Sequence, residues 1–222
     1  MTDALEEARA ALRLRQGGGA RYDAANAPAR ELDWARRGTA YFARLLNGLD
    51  DRQLDRPSAL EGVSRRFLVA HVGYHARALS KIVGWARQRP EKTMPDPMLV
   101  DAESVERQST QPARALRFLF AHTQVHLNVE WRDLTDTQWD LAVVDVEGRS
   151  LAVRSTAWLR ARAVWLHALE LDAGGRLIDA PADFVSCLTD QVADCADKQG
   201  SDDNLGQRSP ANSAFPQVFW NL

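Results

Sequence analysis

Residues 64–88 read SRRFLVAHVGYHARALSKIVGWARQ. Phe67, His71, Tyr74, Ala78, Ile82 and Trp85 follow one another at steps of three or four, so they share one stripe of a long helix that Pro90 stops. Such a stripe is covered only by packing on other helices, and the flanking sequence supplies them. Upstream, Leu32, Ala35, Phe42, Leu45, Leu46 and Leu49 recur at helical spacing between Arg30 and Leu49, and predict a first core helix closed by Asn47 and Gly48. Downstream, past a loop with Pro95 and Pro97 and a weak helix near 100–107, Pro112 opens a third helix through Leu116, Phe120, Thr123, Leu127 and Trp131.

The period then changes from helical to alternating. Residues 139–146 and 150–154 flank Glu147-Gly148 and predict a β-hairpin. Ser155 caps a fourth core helix to about Leu171, which Gly174 and Gly175 end, and a fifth helical stretch covers 181–198. The expected fold is all-α: a four-helix bundle with a long crossover and a small β-hairpin before the fourth core helix. Three pieces are expected: a peripheral helix (3–15) and glycine joint within residues 1–20, the bundle over 21–199, and a tail over 200–222 whose Phe215, Phe219 and Trp220 need a surface to pack on.

Composition narrows the function. In 222 residues, 28 basic side chains face 30 acidic ones for a formal charge of −2, so the chain lacks the one-signed field that nucleic acid or an anionic bilayer would need. No apolar run reaches membrane-spanning length or suits a signal peptide, so a cytoplasmic location is expected. No Gly-rich phosphate loop or dinucleotide fingerprint is present. Cys187 and Cys195 lie about two helical turns apart, roughly 12 Å, too far to bridge, and read as free, small apolar residues. Trp85, Trp131, Trp158 and Trp165 read as core aromatics.

All five histidines, His71, His75, His122, His126 and His167, fall on predicted core helices, and two pairs stand four apart. Imidazoles so spaced lie one above the other and can converge on one metal, with a further ligand from a facing helix. Such pairs also arise by chance, and a single inward histidine is more often a hydrogen-bonded core or cleft residue.

The segments ALEGVSRRFLVAHVGYHARAL (59–79), TMPDP (93–97), HTQVHLNVEW (122–131), the hairpin and WLRARAVWLHALELDAG (158–174) together carry a family likeness in order and spacing. Over about residues 30–185 the chain resembles the mycothiol-dependent maleylpyruvate isomerases, within the DinB-like metal-binding four-helix bundles. The resemblance implies a divalent metal, usually zinc, held by a histidine of the second helix and a Glu-x-x-x-His pair of the fourth. The matching positions are His71, Ala163 and His167, so one of the three ligands is absent, because alanine cannot ligate. Two further departures are Val63, where the family usually has tryptophan, and His75, where it has asparagine.

Two reconciliations follow from that gap. In one, His75 replaces the lost ligand, and His71, His75 and His167 form a three-histidine tripod with an open position; Glu170, one turn beyond His167, is a less favoured substitute. In the other, Ala163 marks a bundle that no longer holds metal well and binds a small ligand or partner without chemistry. Arg160 and Arg162 are candidate clamps for a substrate carboxylate or, equally, surface cations. His122 is a further substrate-side candidate, and both it and His126 read more readily as cleft or surface residues than as ligands.

The implied function is a metal- and thiol-dependent isomerase, or thiol transferase, acting on an activated unsaturated dicarboxylic keto-acid such as maleylpyruvate. The implied cofactors are a divalent metal and a low-molecular-weight thiol, mycothiol or another. The nucleophilic sulfur would arrive with the cofactor, which suits a cysteine-poor site. A metal-dependent hydrolase using the open position for water is a third reading.

Overall fold

The computed structural model describes Glu7, residues 22–95 and residues 102–190. Its frame is four long helices: α1 (Ala29–Gly48), α2 (Arg65–Gln88), α3 (Ala113–Arg132) and α4 (Ser155–Glu170). Each lies where the apolar spacing predicts. Pro112 immediately precedes α3, and the Ser64 side chain caps α2 by accepting from the Phe67 N–H at 3.2 Å. Of the stripe that predicts α2, Phe67, His71 and Ile82 are buried and Tyr74, Ala78 and Trp85 partly buried, while Leu68, Val72 and Leu79 beside it also enter the core.

Consecutive helices are not all neighbours. α1 packs mainly on α4, α4 also on α2, and α2 on α3, while α1 and α3 touch only lightly. The chain therefore crosses the bundle between α1 and α2 and again between α3 and α4, as the expected crossover requires.

The first crossing is pinned by polar contacts. Asp50 and Gln53 form a reciprocal capping box around the short helix Asp51–Leu54. The Ala59 N–H donates to Glu170 O at 2.8 Å, and the Arg65 guanidinium donates to the Asp172 carbonyl. These ties set the N-terminal end of α2 beside the C-terminal end of α4.

The second crossing carries the hairpin, shorter than its apolar run suggests: Ala142–Val144 pairs antiparallel with Ser150–Ala152. Trp139, expected in the first strand, lies instead in the 3-10 turn Gln138–Asp140, fully buried. The buried Asp145 carboxylate holds the turn, accepting from the Glu147 N–H at 2.9 Å and the Arg149 N–H at 3.0 Å. Gly148 takes φ +77°, a conformation that suits glycine. Burial pushes the Asp145 carboxyl up, but Arg149 and those N–H groups outweigh it and leave the group below its ordinary range.

An aromatic cluster linked through Phe184 closes the core. Trp34 meets Trp158 and Phe184 edge-on, at 5.9 and 5.7 Å between ring centroids, and Tyr41 lies against Trp165 at 5.0 Å. Phe184 comes from a helical segment at 182–190, the described part of the expected 181–198 stretch, so that segment docks on the α1–α4 face. Trp131 and Trp165 are buried, and Trp85 and Trp158 are partly buried against the core, as expected. Cys187 is a free thiol. Of the predicted 3–15 helix only Glu7 is described, and it is helical; the glycine joint, Cys195 and the tail from 200 lie outside the described residues. No helix among the described residues is long and apolar enough to cross a membrane.

Candidate functional site

The pinned ends of α2 and α4 decide which histidines meet. His71 lies about two turns into α2, and His167 one turn before the end of α4. Their rings approach perpendicularly, 4.9 Å between centroids, and both side chains are buried at 2% and 6% exposure. Behind His167, Glu170 Oε2 lies 2.5 Å from Nδ1. A carboxylate there fixes the ring's orientation and leaves Nε2 for a ligand. Glu170 therefore stands behind a candidate ligand instead of serving as one.

His75 occupies the next turn of α2, 7% exposed, its ring 6.3 Å from that of His71. Its Nδ1 is buried and meets no hydrogen-bond partner among the described residues. Zinc–nitrogen bonds of about 2.0–2.1 Å place two tetrahedrally arranged ligating rings roughly 5 Å apart, and rings about 6 Å apart only when nearly opposed. The separation of the His71 and His167 rings is that of two ligands on one ion, whereas His71 and His75 as placed do not share a tetrahedral shell. Among the described residues no group of three or more His, Cys, Asp or Glu side chains is disposed to hold a metal ion. The residues present thus fit a two-imidazole seat, with Ala163 contributing nothing.

Both α2 imidazoles are held neutral, the form that ligates. Burial is the main cause for each. For His71 the neighbouring His167 and Arg160 add to it, and for His75 Arg160 adds first; all drive the pKa well below 6.5.

Arg160 is the residue whose setting the sequence left open between clamp and surface cation. It is 1% exposed, so the surface reading is corrected. Arg160, Ala163 and His167 stand at i, i+3 and i+7 on one face of α4, and that spacing to an inward histidine was the available signal. Nη1 donates to Val72 O at 2.8 Å, Nη2 is buried without a hydrogen-bond partner, and among the described residues no carboxylate pairs with the group. Burial alone pulls its pKa down to about 9. Arg162 is half-buried, and its charge reaches His75.

His122 and His126 take no part in this cluster of rings. His122 is exposed and stacks on Phe118 at 5.7 Å, and His126 Nε2 lies 3.3 Å from Glu130 Oε1. They line a separate cavity of about 800 Å³ between α2 and α3.

Residues 35–172 match the family described as mycothiol maleylpyruvate isomerase N-terminal domain. The chain belongs to that family. A crystal structure of the mycothiol-dependent maleylpyruvate isomerase is similar over 78% of this chain and 72% of that one, with 32% identity and a TM-score of 0.70. The crystal structure of a histidine-to-alanine mutant of the mycothiol-dependent maleylpyruvate isomerase is similar over 74% and 68%, with 33% identity and a TM-score of 0.66. Among curated proteins none matches significantly in sequence. The match runs through α1 to α4 and contains His71, His75, Arg160, Ala163 and His167, so the whole ring cluster lies inside the maleylpyruvate isomerase N-terminal domain.

Proposed function

We propose that this chain is a thiol-dependent isomerase of an unsaturated dicarboxylic keto-acid such as maleylpyruvate, using mycothiol or a similar small thiol and a divalent ion, zinc by preference. The observation that carries the reading is the perpendicular approach of His71 and His167 from facing helices, with Glu170 behind His167. These two imidazoles would hold the ion, with His75 one turn away on α2 and outside its tetrahedral shell. Together the thiol and the ion supply an ionised sulfur able to add reversibly to a conjugated double bond, so that the bond can rotate before elimination.

The chain's own residues do the rest. Glu170 holds the His167 tautomer through Nδ1, leaving Nε2 as the donor. Burial keeps His71 and His75 unprotonated across the neutral range. The burial of His71, His75 and His167 limits water around the rings, which strengthens every polar contact formed there. Arg162, whose charge reaches His75, would orient a substrate carboxylate; His122, in the other cavity, is a more distant candidate for the same task.

Full-length protein with maleylpyruvate, mycothiol and zinc tests this by following conversion to the trans product in the ultraviolet. Turnover that needs both additions, and its loss in His167→Ala together with zinc uptake, is the expected result. Activity without thiol would favour the hydrolase. A folded wild type with neither turnover nor zinc binding would favour a bundle that binds without chemistry, a reading that Ala163 supports.

A further inference from the structure

α1 and α3 touch only lightly, and two polar clamps link them. At one end Arg117 donates from Nη1 to Leu46 O and from Nη2 to Leu49 O, both at 2.6 Å, occupying the last carbonyls of α1. At the other, Arg36 donates from Nε to Asn128 Oδ1 at 2.8 Å and pairs through both terminal nitrogens with Asp23. Around the Arg36–Asn128 contact α1 presents the small residues Ala35, Thr39, Ala40 and Ala43, and a cleft of about 510 Å³ opens against Val125, Leu127 and Trp131 of α3.

The innermost polar residue lining this cleft is Arg160 of α4. The other two guanidiniums around it are already compensated, Arg36 by Asp23 and Arg132 by Asp133. Arg160 is not: it is 1% exposed, makes one bond to a backbone carbonyl, keeps Nη2 without a partner, and has no carboxylate among the described residues. A charge withdrawn from water and left uncompensated is costly, and a ligand that brings the opposite charge recovers that cost. The walls are mostly apolar, so the complement is an anionic head on a short hydrocarbon body, and a planar guanidinium suits a carboxylate in particular.

We propose that the cleft between α1 and α3 is a binding site for small organic carboxylates, with Arg160 at its floor receiving the carboxylate and the alanines of α1 receiving the hydrocarbon part. The site stands on its own geometry and needs neither a metal nor the isomerase reading. It borders the helix that carries His71 and His75 through the Arg160–Val72 contact.

Calorimetric titration of the full chain in EDTA tests it, with crotonate as probe and crotonamide as its uncharged counterpart. Crotonate is expected to bind at least tenfold more tightly than crotonamide. Arg160→Gln should weaken crotonate at least tenfold. Ala43→Phe, which fills the cleft without touching the arginine, should do the same, and keeps the test open if the buried Arg160 variant does not fold. Equal affinity for the acid and the amide, no binding to the wild type, or crotonate binding unchanged in Ala43→Phe would overturn the proposal. Because metal is withheld, these outcomes are independent of whether the protein isomerises maleylpyruvate.

Discussion

Ala163 stands between Arg160 and His167 on one face of α4, at the position that the family likeness matches to a carboxylate ligand. With alanine there, the proposed seat has two imidazoles as its donors, and a divalent ion held by two protein groups leaves more readily than one held by three. Ala163→Glu is therefore expected to raise zinc affinity by about 10-fold or more, as an added ligand does when its neighbours are already placed. Isothermal titration of wild type and variant checks this, and equal affinities would mean that position 163 does not face the His71–His167 gap. The histidine spacing was legible in the chain, because i and i+4 imidazoles must share a helix face. Their separation was not. The His71 and His75 rings lie 6.3 Å apart on one helix, while His71 and His167, 96 positions apart in the chain, lie closer, at 4.9 Å.

α1 reaches α4 through Gly38. A Cβ built there would stand 2.6 Å from both Trp165 Nε1 and Val164 Cγ2, and Trp165 Nε1 already donates to Trp34 O at 3.0 Å. The ring cannot move without breaking that bond, so the two helices would have to separate. Gly38→Ala should destabilise the protein by about 1–3 kcal/mol, despite the roughly 1 kcal/mol that alanine adds to helix propensity. Denaturant unfolding measures the net effect, and a stabilised variant would mean that α1 and α4 sit further apart. The helix boundaries agree with their apolar periods to within a few residues, because that period and the caps at Ser64 and Pro112 are local. The hairpin agrees less well: Trp139 has strand propensity, but a fully buried site in the 3-10 turn takes the ring instead.

Beyond α4 the chain folds back onto the bundle. Tyr41 OH donates to Asp179 Oδ2 at 2.6 Å and accepts from the Arg176 N–H at 2.9 Å, while Arg176 also pairs with Asp179. The Tyr41 bond and then Arg176 hold the Asp179 carboxyl below its ordinary 3.8. A group depressed in the folded state stabilises above its unfolded pKa, and that contribution is lost as pH falls through the folded value. Tyr41→Phe should accordingly lower the Tm at pH 7, with the gap to wild type closing as the pH drops below about 3.8. Melting curves from pH 7 to 3 read this directly, and a gap that stays constant would show that Asp179 contributes nothing to it. The number of core helices, their order and the helices that carry histidines follow from residue spacing, since a helical period needs only neighbours along the chain. The light contact between α1 and α3, the cleft it leaves, the burial of Arg160 with no counter-charge among the described residues and the meeting of His71 with His167 follow from the two crossings of the bundle. Those crossings choose which stripes face each other, and that choice is made by packing between segments far apart in the chain.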